Sequence, residues 1–310
     1  MFNLSKPKKP FHKLFLNYPD VTEGDVFVTE LACIDGDPLA PHLEAVNAVK
    51  ILSKKSSLPL HLCFSGGLHS LVMLEAFLKA EVSFDISVLE FSGGFNDGEV
   101  AFAKEVLESL GLSYKVIDLP IVDFFLSGKF YDYSLNYGCL GPETTVVLWM
   151  FDQIHGVPIL GSAPMLPGVF NGQKYWRGVP DENLSCLWRY FEKTGREGVP
   201  FFQLATPGLA ASFSHQMLSN SEYSLGHLPD TWGRSELMQL YSESGFSMHT
   251  QVGKKSYAFD RLRHHFDFLF DGKNGYSFTR LFRVPLERLQ RKHEMVHLRT
   301  HDSLDRMLGL

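Results

Sequence analysis

Leu58-Pro59-Leu60-His61-Leu62-Cys63-Phe64-Ser65-Gly66-Gly67-Leu68-His69-Ser70-Leu71 is the stretch on which the fold turns. Residues 58–64 are almost wholly apolar, as expected of a parallel strand covered on both faces, and they run straight into Ser-Gly-Gly. Over residues 71–80 the apolar positions Leu71, Leu74, Phe77 and Leu78 recur at helical spacing. A buried strand, a glycine turn and a helix in direct succession make one βα unit.

The same alternation continues outward. Residues 84–91 read as a second buried strand, 99–110 as a helix stopped by Gly111, and 113–119 as a third strand. A helix over 142–155, with Pro142 in its first turn, leads to a strand at 157–160 that ends in Gly161-Ser162-Ala163-Pro164. Upstream, 25–32 reads as a strand and 41–52 as a helix. Downstream, a strand is expected at 200–204, then a helix opened by Thr206-Pro207. Strands alternating with helices at this pitch specify an α/β fold, a doubly wound parallel sheet with right-handed crossovers. The final third, 228–310, reads as mostly helical and polar.

The composition sets limits on function. A chain of 310 residues with 45% hydrophobic and 21% charged residues can bury a substantial core, and 26 Phe imply an aromatic interior. A net charge of −6 argues against a surface built to neutralise a phosphate backbone, so nucleic acid is a disfavoured partner. The basic run Arg280, Arg283, Arg288, Arg291, Lys292 and Arg299 reads first as a solvated helix face. Cys33, Cys63, Cys139 and Cys186 form no C-x-x-C pair, which leaves buried thiols as their expected state. Neither a signal-peptide pattern nor an apolar run of spanning length is present, so the expected location is cytoplasmic, away from the membrane.

The glycine turn carries the chemistry. Ligands of open parallel sheets gather beyond the carboxyl ends of the strands, where Ser65 to Ser70 lies. Gly66 and Gly67 let the backbone approach a phosphate closely and present N–H donors. Ser65 and Ser70 add hydroxyls, and the helix starting near Leu68 brings its positive dipole end to the same point. Every element of the turn favours an anion.

On these residues the chain resembles the ATP pyrophosphatases with a Ser-Gly-Gly-x-Asp-Ser loop, of the adenine nucleotide α-hydrolase-like (HUP) class. Within them it is similar to the synthetase domain of asparagine synthetases. Val88-Leu89-Glu90-Phe91-Ser92-Gly93-Gly94-Phe95, followed by Asp97, Glu99, Ala101, Val106 and Leu110-Gly111, looks like that family's second strand, acidic loop and helix. Thr144 to Gly161 looks like the helix and strand leading to its second phosphate-side loop, so the resemblance covers about residues 58–170. It implies that Ser65, Gly66, Gly67, Leu68 and Ser70 hold the pyrophosphate of ATP, with Gly161 and Ser162 beside them. Adenine is expected against the backbone near Leu89, Glu90 and Phe91. The implied reaction splits ATP between its α and β phosphates, places AMP on a substrate oxygen, and lets an amine or ammonia displace it.

Two departures stand out. His69 occupies the family's Asp position, and imidazole is a poor ligand for Mg²⁺, so His69 is expected to hydrogen-bond a phosphate or to offset its charge when protonated. Where asparagine synthetases carry an acidic metal-binding segment, residues 161–170 have none, which moves the Mg²⁺ expectation to Asp97, Glu99 and Glu143. The resemblance also suggests Lys254 or Lys255 as the basic group over the phosphates, within a cluster containing His249, Arg261, Arg263, His264 and His265. The adjacent histidines lack metal-ligand spacing, and Ser212-Phe213-Ser214-His215 is no nucleophile elbow. No Cys follows the first Met, so the fused glutaminase nucleophile of asparagine synthetases is not expected.

The expected organisation is an arm at 1–24, an ATP-binding α/β domain at 25–205 and a mainly helical substrate cap at 206–310. The leading function is an ATP-dependent, AMP-forming C–N ligase acting on a small molecule or a modified base. Its nucleophile would come as a free amine or from an amine or sulfur donor protein, and a homodimer is an open alternative. Sulfur chemistry like that of phosphoadenylylsulfate reductases and non-catalytic nucleotide binding are the competing functions.

Overall fold

The apolar run before the glycine turn forms an inner strand. The computed structural model describes residues 16–17, 30–31, 37–139, 141–164, 166–170, 173–177, 185–219, 233–247 and 258–265. After two short paired strands, β1 (Leu16–Asn17) and β2 (Glu30–Leu31), comes helix α1 (Pro41–Lys55). The unit read from the sequence follows: β3 (Leu60–Cys63), α2 (Leu68–Ala80), β4 (Phe84–Phe91), α3 (Asp97–Ser109) and β5 (Lys115–Leu119). Next are α4 (Ile121–Leu126), α5 (Lys129–Tyr137), α6 (Pro142–Asp152) and β6 (Val157–Leu160). The sheet order is β5-β4-β3-β6 and every pairing is parallel, with Leu62 beside both Ile86 and Ile159. The chain builds outward from β3 and then crosses to its other side, leaving the switch point between β3 and β6.

Helices cover both faces, and alternation along β3 feeds both layers. Leu62 and Phe64 join one core with Val72 and Phe77 of α2, Ala103 and Leu107 of α3, and Phe213. Cys63 joins the other with Leu119, Phe125, Phe130, Phe151 and Phe191. The Phe surplus is thus spread through both layers. Cys63, Cys139 and Cys186 are buried and form no disulfide, as expected, while Cys33 lies outside the described residues. Helix α3 stops in a Schellman turn, where Gly111 takes φ +65° and Leu112 N–H donates to Leu107 C=O at 2.9 Å.

Several segments differ from the sequence reading. Residues 200–204 are no strand: a 3₁₀ turn spans Phe202–Leu204, and the sheet gains only an isolated bridge of Val199 to Ile159. The turn brings the fully buried Gln203 towards the switch point, which an extended chain alternating its side chains could not do alone. The short helices α4 and α5, the antiparallel hairpin β7 (Leu166–Phe170) and β8 (Gln173–Arg177), and α7 (Ser185–Thr194) were not anticipated. Beyond them lie α8 (Pro207–Ser219), α9 (Arg234–Glu243) and α10 (Ala258–His265). No described helix is long and apolar enough to cross a membrane.

Candidate functional site

The glycine turn sits at the carboxyl end of β3 and opens α2. Gly66 takes φ +69°, and a Cβ there would lie 3.1 Å from Phe102 and 3.2 Å from Ala103, so both backbone and packing require glycine. Gly67 is the N-cap of α2, which has no side-chain cap hydrogen bond, so its first-turn N–H groups lack that partner. The Ser70 hydroxyl donates to Gly67 C=O at 2.8 Å and lies 3.2 Å from the Ser65 hydroxyl. Ser65 and Gly67 are exposed, while Gly66 and Ser70 are buried. The result is a small cradle in which the exposed Ser65 hydroxyl and the first-turn amides sit at a positive helix end.

Gln203 buttresses this cradle from behind. Its side-chain oxygen accepts from Ser162 N–H at 2.6 Å, and its Nε2 donates to His69 C=O at 3.2 Å. Gly161 approaches the first turn of α2 so closely that a Cβ would lie 3.0 Å from His69 backbone atoms. Gly161 and Ser162 therefore stand beside the loop, with the Ser162 amide engaged by Gln203. His69 turns towards α9, where its Nδ1 meets the buried Tyr241 hydroxyl at 2.7 Å. Burial lowers the His69 pKa to about 4, so the ring is neutral at physiological pH in this structure.

Beside the cradle, at the carboxyl ends of β3, β4 and β6, lies a cavity of about 160 Å³. Its walls are mainly apolar, with Phe64, Val88, Leu89, Phe91, Val146 and Met150, and α10 contributes Phe259. Ser65, Asn96, Glu99 and Glu143 are its polar groups. Desolvation pushes the Glu143 pKa up to about 7, although the residue keeps exposed surface.

The end of β4 holds a further arrangement. Strand β4 runs past the end of β3, leaving the inner edge of Leu89 and Phe91 beyond the reach of that ladder. Asn96 takes this edge: its Oδ1 accepts from Phe91 N–H at 2.7 Å and its Nδ2 donates to Leu89 C=O at 2.9 Å. The backbone pair expected to face adenine is thus already bonded. Glu90 points elsewhere, to Lys104 at 2.7 Å.

The acidic trio does not assemble. Glu99 and Glu143 share the cavity, whereas Asp97 is exposed with its carboxylate against Gly94. Among the described residues no three His, Cys, Asp or Glu side chains gather as a metal-binding group. Lys254, Lys255 and His249 lie outside the described residues, as does the basic run from Arg280 onward. Gln203, Tyr241 and Asn96 are the participants that the sequence reading missed. Only Asn96 left a trace there, as a favoured helix N-cap residue before an acidic first turn.

No family model and no curated protein matches this sequence. Among the solved structures that resemble it is that of a predicted subunit of tRNA methyltransferase from Methanocaldococcus jannaschii. The two share 18% identity with a TM-score of 0.33, over 73% of this chain and 93% of that one.

Proposed function

We propose that the chain binds the polyphosphate of ATP at the turn from Ser65 to Ser70 and uses it as an AMP-forming ligase. One observation carries this reading. A glycine N-cap without a side-chain cap, a glycine held at φ +69° and two adjacent serine hydroxyls converge at the carboxyl end of an inner parallel strand. In such a reaction a substrate oxygen attacks the α-phosphate of ATP, taking AMP and releasing pyrophosphate, and a nitrogen nucleophile then displaces AMP. The part played by this chain is positional and electrostatic: first-turn amides and the exposed Ser65 hydroxyl face the departing charge, while the buried Ser70 holds the turn through Gly67 C=O. Gln203 holds the two switch-point loops at a fixed separation.

The acidic residues proposed from the sequence do not fit a three-carboxylate Mg²⁺ centre, so no step is routed through that metal. His69 is neutral and tied to Tyr241, which favours a competing reading, nucleotide binding without turnover. Incubation with ATP, Mg²⁺ and a small-molecule extract separates the two. The ligase reading predicts pyrophosphate release that depends on the extract and disappears in Ser65→Ala/Ser70→Ala. ADP as the product, or binding with no product, contradicts it.

A further inference from the structure

We propose that Asn96 is a latch on the Leu89–Phe91 edge: resting on the nucleotide reading, in which that edge faces the base, its side chain occupies the edge and must leave before a base can enter. The edge displays one acceptor, Leu89 C=O, and one donor, Phe91 N–H, at the wall of a ring-sized apolar cavity. Its complement is a planar group with a donor next to an acceptor. A carboxamide has that pattern, and so does the hydrogen-bonding edge of a nucleobase. Asn96 fills it at 2.7 and 2.9 Å while itself lining the cavity, so the internal side chain already makes the contacts a base would make.

Asn96 is also the N-cap of α3, but its side chain makes no cap bond there, and its own backbone C=O accepts from Glu99 N–H at 3.0 Å and Val100 N–H at 3.1 Å. The side chain is committed to the strand edge. The residues before Asn96 supply the hinge: Gly93 and Gly94 take φ +85° and +77°. Arg261 on α10 grips this turn through Gly94 C=O at 2.8 Å, and Phe259 lies 5.7 Å from the Phe91 ring, so the same helix holds both turn and cavity wall.

The latch deepens the nucleotide reading and is tested apart from it, with adenosine and inorganic tripolyphosphate as separate probes. Asn96→Ser retains a cap residue but cannot span both backbone groups; Asn96→Asp can accept from Phe91 N–H but cannot donate to Leu89 C=O. Calorimetry should show adenosine binding roughly tenfold tighter in Asn96→Ser than in the wild type, because the open edge no longer has to be populated at a cost. Tripolyphosphate affinity should be unchanged, and Asn96→Asp serves the same comparison if the Ser variant does not fold. Adenosine binding no tighter than wild type in the folded variant, including no measurable binding to either protein, overturns the latch. Absence of tripolyphosphate binding to the wild type removes the loop reading, while a gain for adenosine still establishes the latch.

Discussion

Gly66 is the residue with the least freedom to change. Alanine there would hold a left-handed backbone and press on Phe102 and Ala103, so Gly66→Ala should lower stability by about 1–3 kcal/mol, read as a denaturant midpoint. His69 and Glu143 set opposing pH trends. The folded-state pKa of His69, about 4, lies below its ordinary 6.5, so unfolding takes up a proton between those values. Its contribution is full above 6.5 and is lost as pH falls towards 4, with His61 acting in the same direction. Glu143, raised from 4.5 to about 7, does the reverse: its stabilising effect is present below 4.5 and lost as pH rises through 7. His69→Gln should therefore flatten the acid limb of melting temperature against pH. Glu143→Gln should raise the melting temperature above about pH 7 relative to wild type more than it does near pH 4.5. Unchanged curves would remove those shifts from the account.

At the scale of elements, the strands and long helices were legible because period and burial coincide in them. β4 and β6 match their expected ranges, and α2 and α3 extend theirs only at the amino ends. The short helices α4 and α5 were not legible, since nine or fewer residues barely complete a periodic pattern. Residues 200–204 misled for a different reason: their apolar run looks like a strand, but tertiary hydrogen bonding of Gln203 decides the backbone. Replacing Gln203 by Leu should cost about 1–3 kcal/mol by orphaning the buried bonds to Ser162 and His69. Faster hydrogen exchange at Ser162, with β5 unaffected, would place the loss at the switch point. Arg196 offers a comparable test on the other face, where it donates to Phe151 C=O at 2.6 Å and also reaches Ile154 C=O, securing the end of α6. Arg196→Ala should lower the melting point without altering ligand binding.

For the whole molecule, the all-parallel sheet fits the adenine nucleotide α-hydrolase-like class that the loop residues resemble. The cradle was legible because strand, glycines, serines and helix follow one another along the chain. Its supports were not, because Gln203 and Tyr241 come from segments 134 and 172 residues away from His69. The Leu89–Phe91 edge was named in the sequence reading as expected to face adenine, but Asn96 on that edge was missed, since one-dimensional spacing does not reveal which side chain folds back onto a strand end. The proposed function makes of the sheet, cradle and supports one site for the charged end of a nucleotide. Titrating isotope-labelled protein with inorganic tripolyphosphate, and following backbone amide shifts, tests that claim most directly. Saturable shifts centred on Gly67, Leu68 and His69, abolished in the folded Ser65→Ala/Ser70→Ala variant, are the predicted result. Saturable shifts elsewhere with these amides unmoved, or no binding at all, would contradict it.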